Sequence, residues 1–204
     1  MIEFHNASFL QGFATSAGLI IAIGAQNAFV LKQAILRNHV FLIASLCSLI
    51  DAILILLGVF GFATLLETSP TLLTVAKWGG FLFLGYYGFR SFKSVFYPHA
   101  LEMDKKKVKP SIKKIVSLTL AFSLLNPHTY LDTVVLLGSV SSQFSDAEQP
   151  SFALGACFAS FIWFFSLGYG ARFLGPLFTK PKAWQVLDFI VGCMMWMIAL
   201  AIVL

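Results

Sequence analysis

The chain has 204 residues, of which 58% are hydrophobic and only 11% are charged, and its mean hydropathy is +0.85. This small number of charged side chains cannot cover the surface of a soluble domain. The composition therefore excludes a soluble protein and indicates an integral membrane protein. The formal net charge of +5 would suit nucleic acid, but it is concentrated between apolar segments, and no nucleic-acid partner is predicted.

Six apolar segments, each close to the roughly 20 residues that cross a bilayer as a helix, follow one another along the chain. They cover residues 9–30, 39–62, 71–92, 115–140, 152–173 and 184–204. The sequence therefore predicts an all-α protein with six transmembrane helices, numbered here as spans 1 to 6.

A lysine-rich stretch at residues 97–114 is too polar to lie in the membrane and separates spans 1 to 3 from spans 4 to 6. We therefore expect a first three-helix repeat at residues 1–96, a basic loop, and a second repeat at residues 115–204. With six spans, 13 of the 14 basic residues fall on one side of the membrane. An excess of Lys and Arg marks the cytoplasmic side, so both termini are predicted outside, and the loop is expected to contact anionic lipid.

Span 1 is interrupted at Gly24, Gln26 and Asn27. Gly24 weakens a helix, and the two amide side chains offer both donors and acceptors. Backbone groups freed inside hydrocarbon must be satisfied within the protein or in a wet cavity. The motif predicts a hinge at Gly24 that lines a substrate path, and the alternative is a polar contact between two helices.

Asp51 lies near the middle of span 2. Placing a carboxylate in the bilayer costs about 2.5–3.5 kcal/mol on insertion scales, and such residues mark ion or substrate sites. No Lys or Arg lies deep in a span to neutralise it. Because burial disfavours the charged form, the group is suited to exchange a proton for a cationic solute.

Span 4 is interrupted at Asn126-Pro127-His128. Pro127 breaks the helix, and Asn126 is suited to cap the half-helix that follows, whose N-terminal end would attract a substrate carboxylate. His128 and Asp132, a second acid inside a span, are spaced i, i+4 and share a helix face, so we expect a hydrogen bond between them. A satisfied interior histidine is the alternative for His128.

The two interruptions lie about 100 residues apart, in spans 1 and 4. Three spans per half give the halves opposite orientations, so the pattern predicts two inverted three-helix repeats. Corresponding breaks in inverted halves point to a transport site at the middle of the membrane.

Five pieces of the chain together resemble the lysine/arginine exporter family. They are IGAQNAFVLKQ at 23–33, Asp51, WGGFLFLGYYGF at 78–89, LNPHTYLDTVVLLGS at 125–139 and SFIWFFSLGYGA at 160–171. The resemblance covers essentially the whole chain, and the HTYLD form is closer to the arginine-exporting branch. Ala25 stands where the family often has Pro, which makes the first break softer.

The resemblance implies efflux of a basic amino acid across a bacterial inner membrane, driven by proton exchange or the membrane potential. It also implies that Asp51 and Asp132 are important for transport. We therefore predict a non-enzymatic exporter of arginine, and of lysine as a second substrate, with no cofactor or metal site; a homodimer stays open. The predicted substrate- and proton-binding residues are Asp51, Asp132, His128, Asn126, Gln26 and Asn27, with hinges at Gly24 and Pro127.

Two other functions stay open at this point. The solute could be a neutral amino acid such as threonine or homoserine, or a metal cation. An intramembrane enzyme acting on a lipid-linked substrate through His128, Asp132 and Asp51 is the remaining alternative, although no nucleophile is paired with a base in the sequence.

Overall fold

The computed structural model describes residues 5–21, 24–61, 70–96, 110–174, 176, 178 and 180–203. Within these ranges, only the backbone is described at residues 70–73, 75–77, 80, 127, 128, 172, 202 and 203. Most of the lysine-rich stretch, residues 97–109, lies outside the described part of the chain. Its last residues, 112–114, form the first turn of a helix rather than loop.

The described residues are helical and contain no strand, which confirms the predicted all-α class. The elements are α1 (Asn6–Ile21), α2 (Ala25–Ile35), α3 (Val40–Val59), α4 (Pro70–Phe96), α5 (Ile112–Leu124), α6 (Pro127–Tyr130), a π-helical segment π1 (Leu131–Leu136), α7 (Leu137–Ser141), α8 (Gln149–Gly170), a 3₁₀ turn (Ala171–Leu174) and α9 (Pro181–Val203).

Three described helices, α3, α8 and α9, are long and apolar enough to cross a membrane. The pair α1 and α2, whose axes differ by 77°, adds a fourth crossing if it is one bent span. Helices or runs of helices coincide with all six predicted segments, but the six-span arrangement as two inverted repeats stays a prediction.

The distribution of side chains is that of a protein in lipid. Large apolar residues of α3, such as Phe41, Leu49 and Ile53, point outward and are at least half exposed. Several of the polar residues of the same and neighbouring helices, among them Ser48, Asp51 and Ser160, point inward and are buried. Lipid replaces water as the solvent of the apolar surface, so the polar groups collect inside, where they can be satisfied or used.

Helix α8 packs against α1, α2 and α3, while α9 packs along α4. Glycines allow the closest approaches: a Cβ atom at Gly12 of α1 would overlap the backbone oxygen of Phe152, and one at Gly155 of α8 would overlap that of Phe9. Gly58 of α3 meets the backbone of π1 in the same way. Small residues at such crossings let membrane helices gain van der Waals contact, since the hydrophobic effect does not drive helices together in lipid.

Candidate functional site

A cavity of about 380 Å³ lies in the interior, where the two interrupted segments meet α3. Six of the eight residues predicted for the site line it, and they come from both halves of the chain: Gly24, Gln26, Asn27, Asp51, Asn126 and Asp132. The two remaining residues are Pro127 and His128, whose side chains lie outside the described part of the structure. The hydrogen bond expected between His128 and Asp132 therefore stays a prediction.

Asp51 is 2% exposed and lies on the face of α3 that looks toward α8. The hydroxyl of Ser160 donates a hydrogen bond of 3.0 Å to Asp51 Oδ2. Asp51 Oδ1 has no hydrogen-bond partner among the described residues, and no basic side chain of those residues forms an ion pair with Asp51. Half of this carboxyl group is therefore available to a proton or a ligand.

Other buried polar atoms near Asp51 also lack a hydrogen-bond partner within the described ranges. They are Gln26 Nε2, Ser48 Oγ and Ser123 Oγ. Gln26 adjoins both Asp51 and Cys47, and Ser123 adjoins Cys47, one turn before Asp51. A buried polar atom without a partner costs about 1–3 kcal/mol, so a group of them indicates an interior that holds water or a polar ligand.

Asp132 belongs to π1 and is only partly buried at the cavity wall. The wider π turn closes when the backbone N–H of Leu137 donates to the oxygen of Asp132. Single π turns inside helices are frequent at functional sites. Asp132 acts electrostatically on Asp51, so the cavity carries two acidic groups that repel each other and attract a cation.

The first interruption presents the N-terminal end of α2 to the cavity. Gly24 precedes α2 in an extended conformation, with φ −103° and ψ 176°, and the first turn contains no acidic residue. The first N–H groups of a helix have no partner inside it, so this end attracts a negative group.

Asn27 lines the cavity and also connects α2 to α1 and α8 through hydrogen bonds. Its Nδ2 donates to the backbone oxygen of Ile20 near the end of α1 at 2.7 Å. Trp163 Nε1 of α8 donates to its Oδ1 at 3.2 Å. The geometry thus combines both sequence-based interpretations, a cavity wall and a polar contact between helices.

The second interruption falls between Leu124 and Pro127 and brings Asn126 to the cavity, 5% exposed. The backbone N–H of Thr129 donates to the oxygen of Asn126 at 3.1 Å. Thr129 and Thr133 extend the polar wall towards Asp132. Among the described residues, no group of three or more His, Cys, Asp or Glu side chains could hold a metal ion, and the expectation of no metal site stays a prediction.

Three side chains that contact α2 or α3 were not predicted from the sequence. Ser160 and Trp163 lie in a matched motif of span 5, but nothing in their spacing predicts that they meet Asp51 and Asn27. The third, Asp188, is an acid in an apolar segment, a signal that was present in the sequence. Asp188 is 3% exposed and forms an ion pair with Lys32 of α2.

An aromatic cluster lies beside the middle of α2, beyond the first interruption. Phe29 and Phe122 stack with ring centroids 4.7 Å apart, and Phe83 and Tyr87 contact Phe122 edge-on. Phe29, Tyr87 and Phe122 also line a second cavity of about 280 Å³, on the side that the charge distribution predicts to be cytoplasmic. The cluster therefore adjoins a cavity other than the one that holds the two acids.

One family model and several known proteins are similar to this chain over most of its length. The model of the LysE type translocator family matches residues 17–204. The arginine exporter protein ArgO of Escherichia coli K12 is 43% identical over 192 residues, which cover 94% of this chain and 91% of that protein. ArgO of Serratia proteamaculans is 43% identical over 194 residues, 95% of both chains.

The YggA protein of Aeromonas salmonicida, whose name assigns it provisionally to amino-acid transport, is 47% identical over 194 residues, 95% of this chain and 94% of its own. No solved structure matches the chain. The family model and these relatives cover nearly the whole sequence, and the chain belongs to the LysE type translocator family.

Proposed function

We propose that this protein exports arginine, with lysine as a second substrate, across the bacterial inner membrane. The observation that carries the proposal is the central cavity, in which two acidic side chains and the two helix interruptions meet. A basic amino acid has one carboxylate and two cationic groups, which complement positive helix ends and two acids. Relatives that are 43% identical and are named arginine exporters support the same substrate.

In the proposed complex, the α-carboxylate of the substrate lies at the N-terminal end of α2, with Gln26, Asn27 and Asn126 as polar neighbours. Asp132 contacts the cationic side chain because it is the more exposed of the two acids in the cavity wall. Asp51, which is almost completely buried, carries the exchanged proton. His128 is placed next to Asp132 in this scheme and modulates its protonation.

Transport follows from alternating access, in which the half at residues 1–96 rocks against the half at residues 115–204, with hinges at Gly24 and Pro127. The packing supports an inverted repeat. Span 1 packs on span 5 through α1 and α8, and span 4 packs on span 2 through π1 and α3. If the two halves are interchanged, the contact of span 1 with span 5 becomes the contact of span 4 with span 2. The contacts of α3 with α8 and of α4 with α9 each join corresponding helices of the two halves and therefore stay the same.

The proposed orientation places both termini outside and the basic stretch in the cytoplasm, next to anionic lipid. The N-terminal end of α5 and the Lys32–Asp188 pair then lie on the cytoplasmic side. We propose a carrier without enzymatic activity. A homodimer is compatible with the exposed apolar faces of α3, α4 and α9.

The test is transport by the purified protein in proteoliposomes that carry an imposed pH gradient. We expect the wild type to move labelled arginine, and Asp132→Asn to abolish both gradient-driven flux and arginine–arginine exchange. Asp51→Asn is expected to lose gradient-driven flux and to keep exchange, because only the proton step is removed.

Ser166→Ala, at an exposed site on α8, is the control. Full gradient-driven flux in both acid variants would contradict the proposal. Flux of threonine or homoserine, or of a metal cation, in place of arginine would identify one of the other solutes.

A further inference from the structure

The second cavity, which has no part in the proposed substrate site, opens between α2, α4, α5 and α9. Its wall contains three basic residues, Lys32, Arg90 and Lys114, each from a different helix. Lys32 is neutralised by Asp188. Among the described lining residues, Arg90 and Lys114 therefore leave an excess of positive charge around a cavity of about 280 Å³.

Helix α5 adds to the positive potential. It begins at Ile112, and the side chain of Ser111 accepts a hydrogen bond from the backbone N–H of Lys114. Its first turn contains Lys113 and Lys114 and no acidic residue. Cations are unfavourable at the N-terminal end of a helix, where the macrodipole is already positive, so this arrangement is stabilised when an anion binds there.

Most of the neutral lining is apolar, but a few neutral side chains in the wall can donate hydrogen bonds to an oxyanion. Ser91 and Ser94 of α4 supply hydroxyl groups, and Gln33 and Asn38 supply amides that are joined to each other by a hydrogen bond from Asn38 Nδ2 to Gln33 Oε1. Arg90 presents a planar guanidinium, the group that binds phosphate through two parallel hydrogen bonds. A cationic amino acid would be repelled by the same wall, so the ligand differs from the proposed cargo.

We propose that this cavity binds a phosphate group, carried by an anionic phospholipid or free in solution. Arg90 of α4 and Lys114 of α5 contact the phosphate oxygens, together with the N-terminal end of α5. Basic pockets between membrane helices on the cytoplasmic side bind lipid head groups in this way. Exposed apolar residues of α4 beside Arg90, such as Tyr86 and Phe89, offer a surface to acyl chains.

The test measures ligand-dependent thermal stabilisation of the full-length protein in detergent. The probes are short-chain phosphatidylglycerol, short-chain phosphatidylcholine and inorganic phosphate. The double variant Arg90→Gln/Lys114→Gln is compared with Lys93→Gln/Lys182→Gln. The control removes the same charge from exposed positions of α4 and α9, outside the cavity wall and away from the N-terminal end of α5.

We expect phosphatidylglycerol to stabilise the wild type and the control in a saturable manner, and phosphatidylcholine to have little effect. The apparent affinity should fall at least about tenfold in the cavity variant, which corresponds to about 1.4 kcal/mol. Saturable stabilisation by inorganic phosphate as well would identify free phosphate as a sufficient ligand. Stabilisation by phosphatidylglycerol alone would identify a lipid head group.

Equal loss in the two double variants would overturn the proposal, because it would mean that only the total charge matters. So would the absence of stabilisation by either anionic probe in the wild type. Arg90→Lys keeps the charge and loses the two-pronged geometry. It provides a second, milder variant, with an expected loss of about threefold, should the double variant fail to fold.

Discussion

Ser160 donates a hydrogen bond of 3.0 Å to Asp51, and the two residues are 109 positions apart in the chain. The bond joins α3 to α8 and therefore connects the two halves of the sequence at the wall of the central cavity. It uses Asp51 Oδ2 and leaves Oδ1 without a hydrogen-bond partner in the part of the chain that the structure describes. Ser160 thus orients the carboxyl group without neutralising it.

Replacing Ser160 with alanine should lower gradient-driven transport about tenfold, because a hydrogen bond to a charged group contributes about 1.5–3 kcal/mol. Arginine–arginine exchange should change less, since Ser160 acts on the proton-carrying acid. Ser160→Thr, which keeps the hydroxyl, should recover part of the flux. Initial rates in proteoliposomes, with Ser166→Ala as the matched control on α8, check this result, and wild-type flux in Ser160→Ala would contradict it.

The crossing of α1 and α8 has no room for larger side chains. Gly155→Ala should destabilise the protein by about 1–3 kcal/mol or more, because the new methyl group would overlap the backbone of Phe9, which cannot rotate away. Gly170→Ala on the same helix meets nothing within 4 Å and should be tolerated. Thermal unfolding in detergent compares the two variants, and equal midpoints would show that the crossing is looser than described.

The ion pair of Lys32 and Asp188 is predicted to stabilise the contact between α2 and α9. Lys32→Ala leaves a buried carboxylate without its partner. The free energy of unfolding should fall by about 1–3 kcal/mol. This is less than the roughly 3–5 kcal/mol lost when a fully buried pair is broken, because the Lys32 side chain is 30% exposed.

The double variant Lys32→Met/Asp188→Leu should be more stable than Lys32→Ala, since no charge is then buried alone. A double-mutant cycle of unfolding midpoints measures the coupling between the two residues. If the stability changes of the single variants are additive, Lys32 and Asp188 do not stabilise each other.

Glu148 lies just before α8, outside the membrane, and should contribute to the stability of the folded protein in a pH-dependent way. The hydroxyl of Ser145 donates a hydrogen bond of 2.6 Å to Glu148 Oε2, and the backbone N–H of Ser145 donates a second one of 3.1 Å. These two bonds, the hydroxyl first, hold the pKa of Glu148 below its ordinary value of 4.5. A lowered pKa means that the stabilisation is fully present above pH 4.5 and is lost as the pH falls through the lower, folded-state value.

The difference in unfolding midpoint between the wild type and Glu148→Gln should therefore be present at pH 6 and should shrink towards pH 3. Asp146→Asn, which removes a nearby exposed acid, is the control. A difference that stays constant over this range would show that the charge of Glu148 does not contribute.

The membrane class, the helix interruptions and the two central acids could be predicted from the sequence, because each depends on local chemistry. The free-energy effect of each feature is the same wherever the helix packs. An apolar run of membrane-spanning length favours insertion, a proline removes a backbone donor, and a carboxylate is costly in hydrocarbon. The family resemblance rests on the same motifs, and the family comparison confirms it.

Only the tertiary structure decided which of these residues meet. Ser160 faces Asp51, Trp163 holds Asn27, and Asp188 pairs with Lys32. These contacts join segments that are more than 100 residues apart, and they depend on how each helix is rotated and where glycines let two backbones approach. Asp51 marks the inward face of α3, but the hydropathy of α3 does not indicate which residue of another helix lies opposite that face, because this is decided by the packing of the helices.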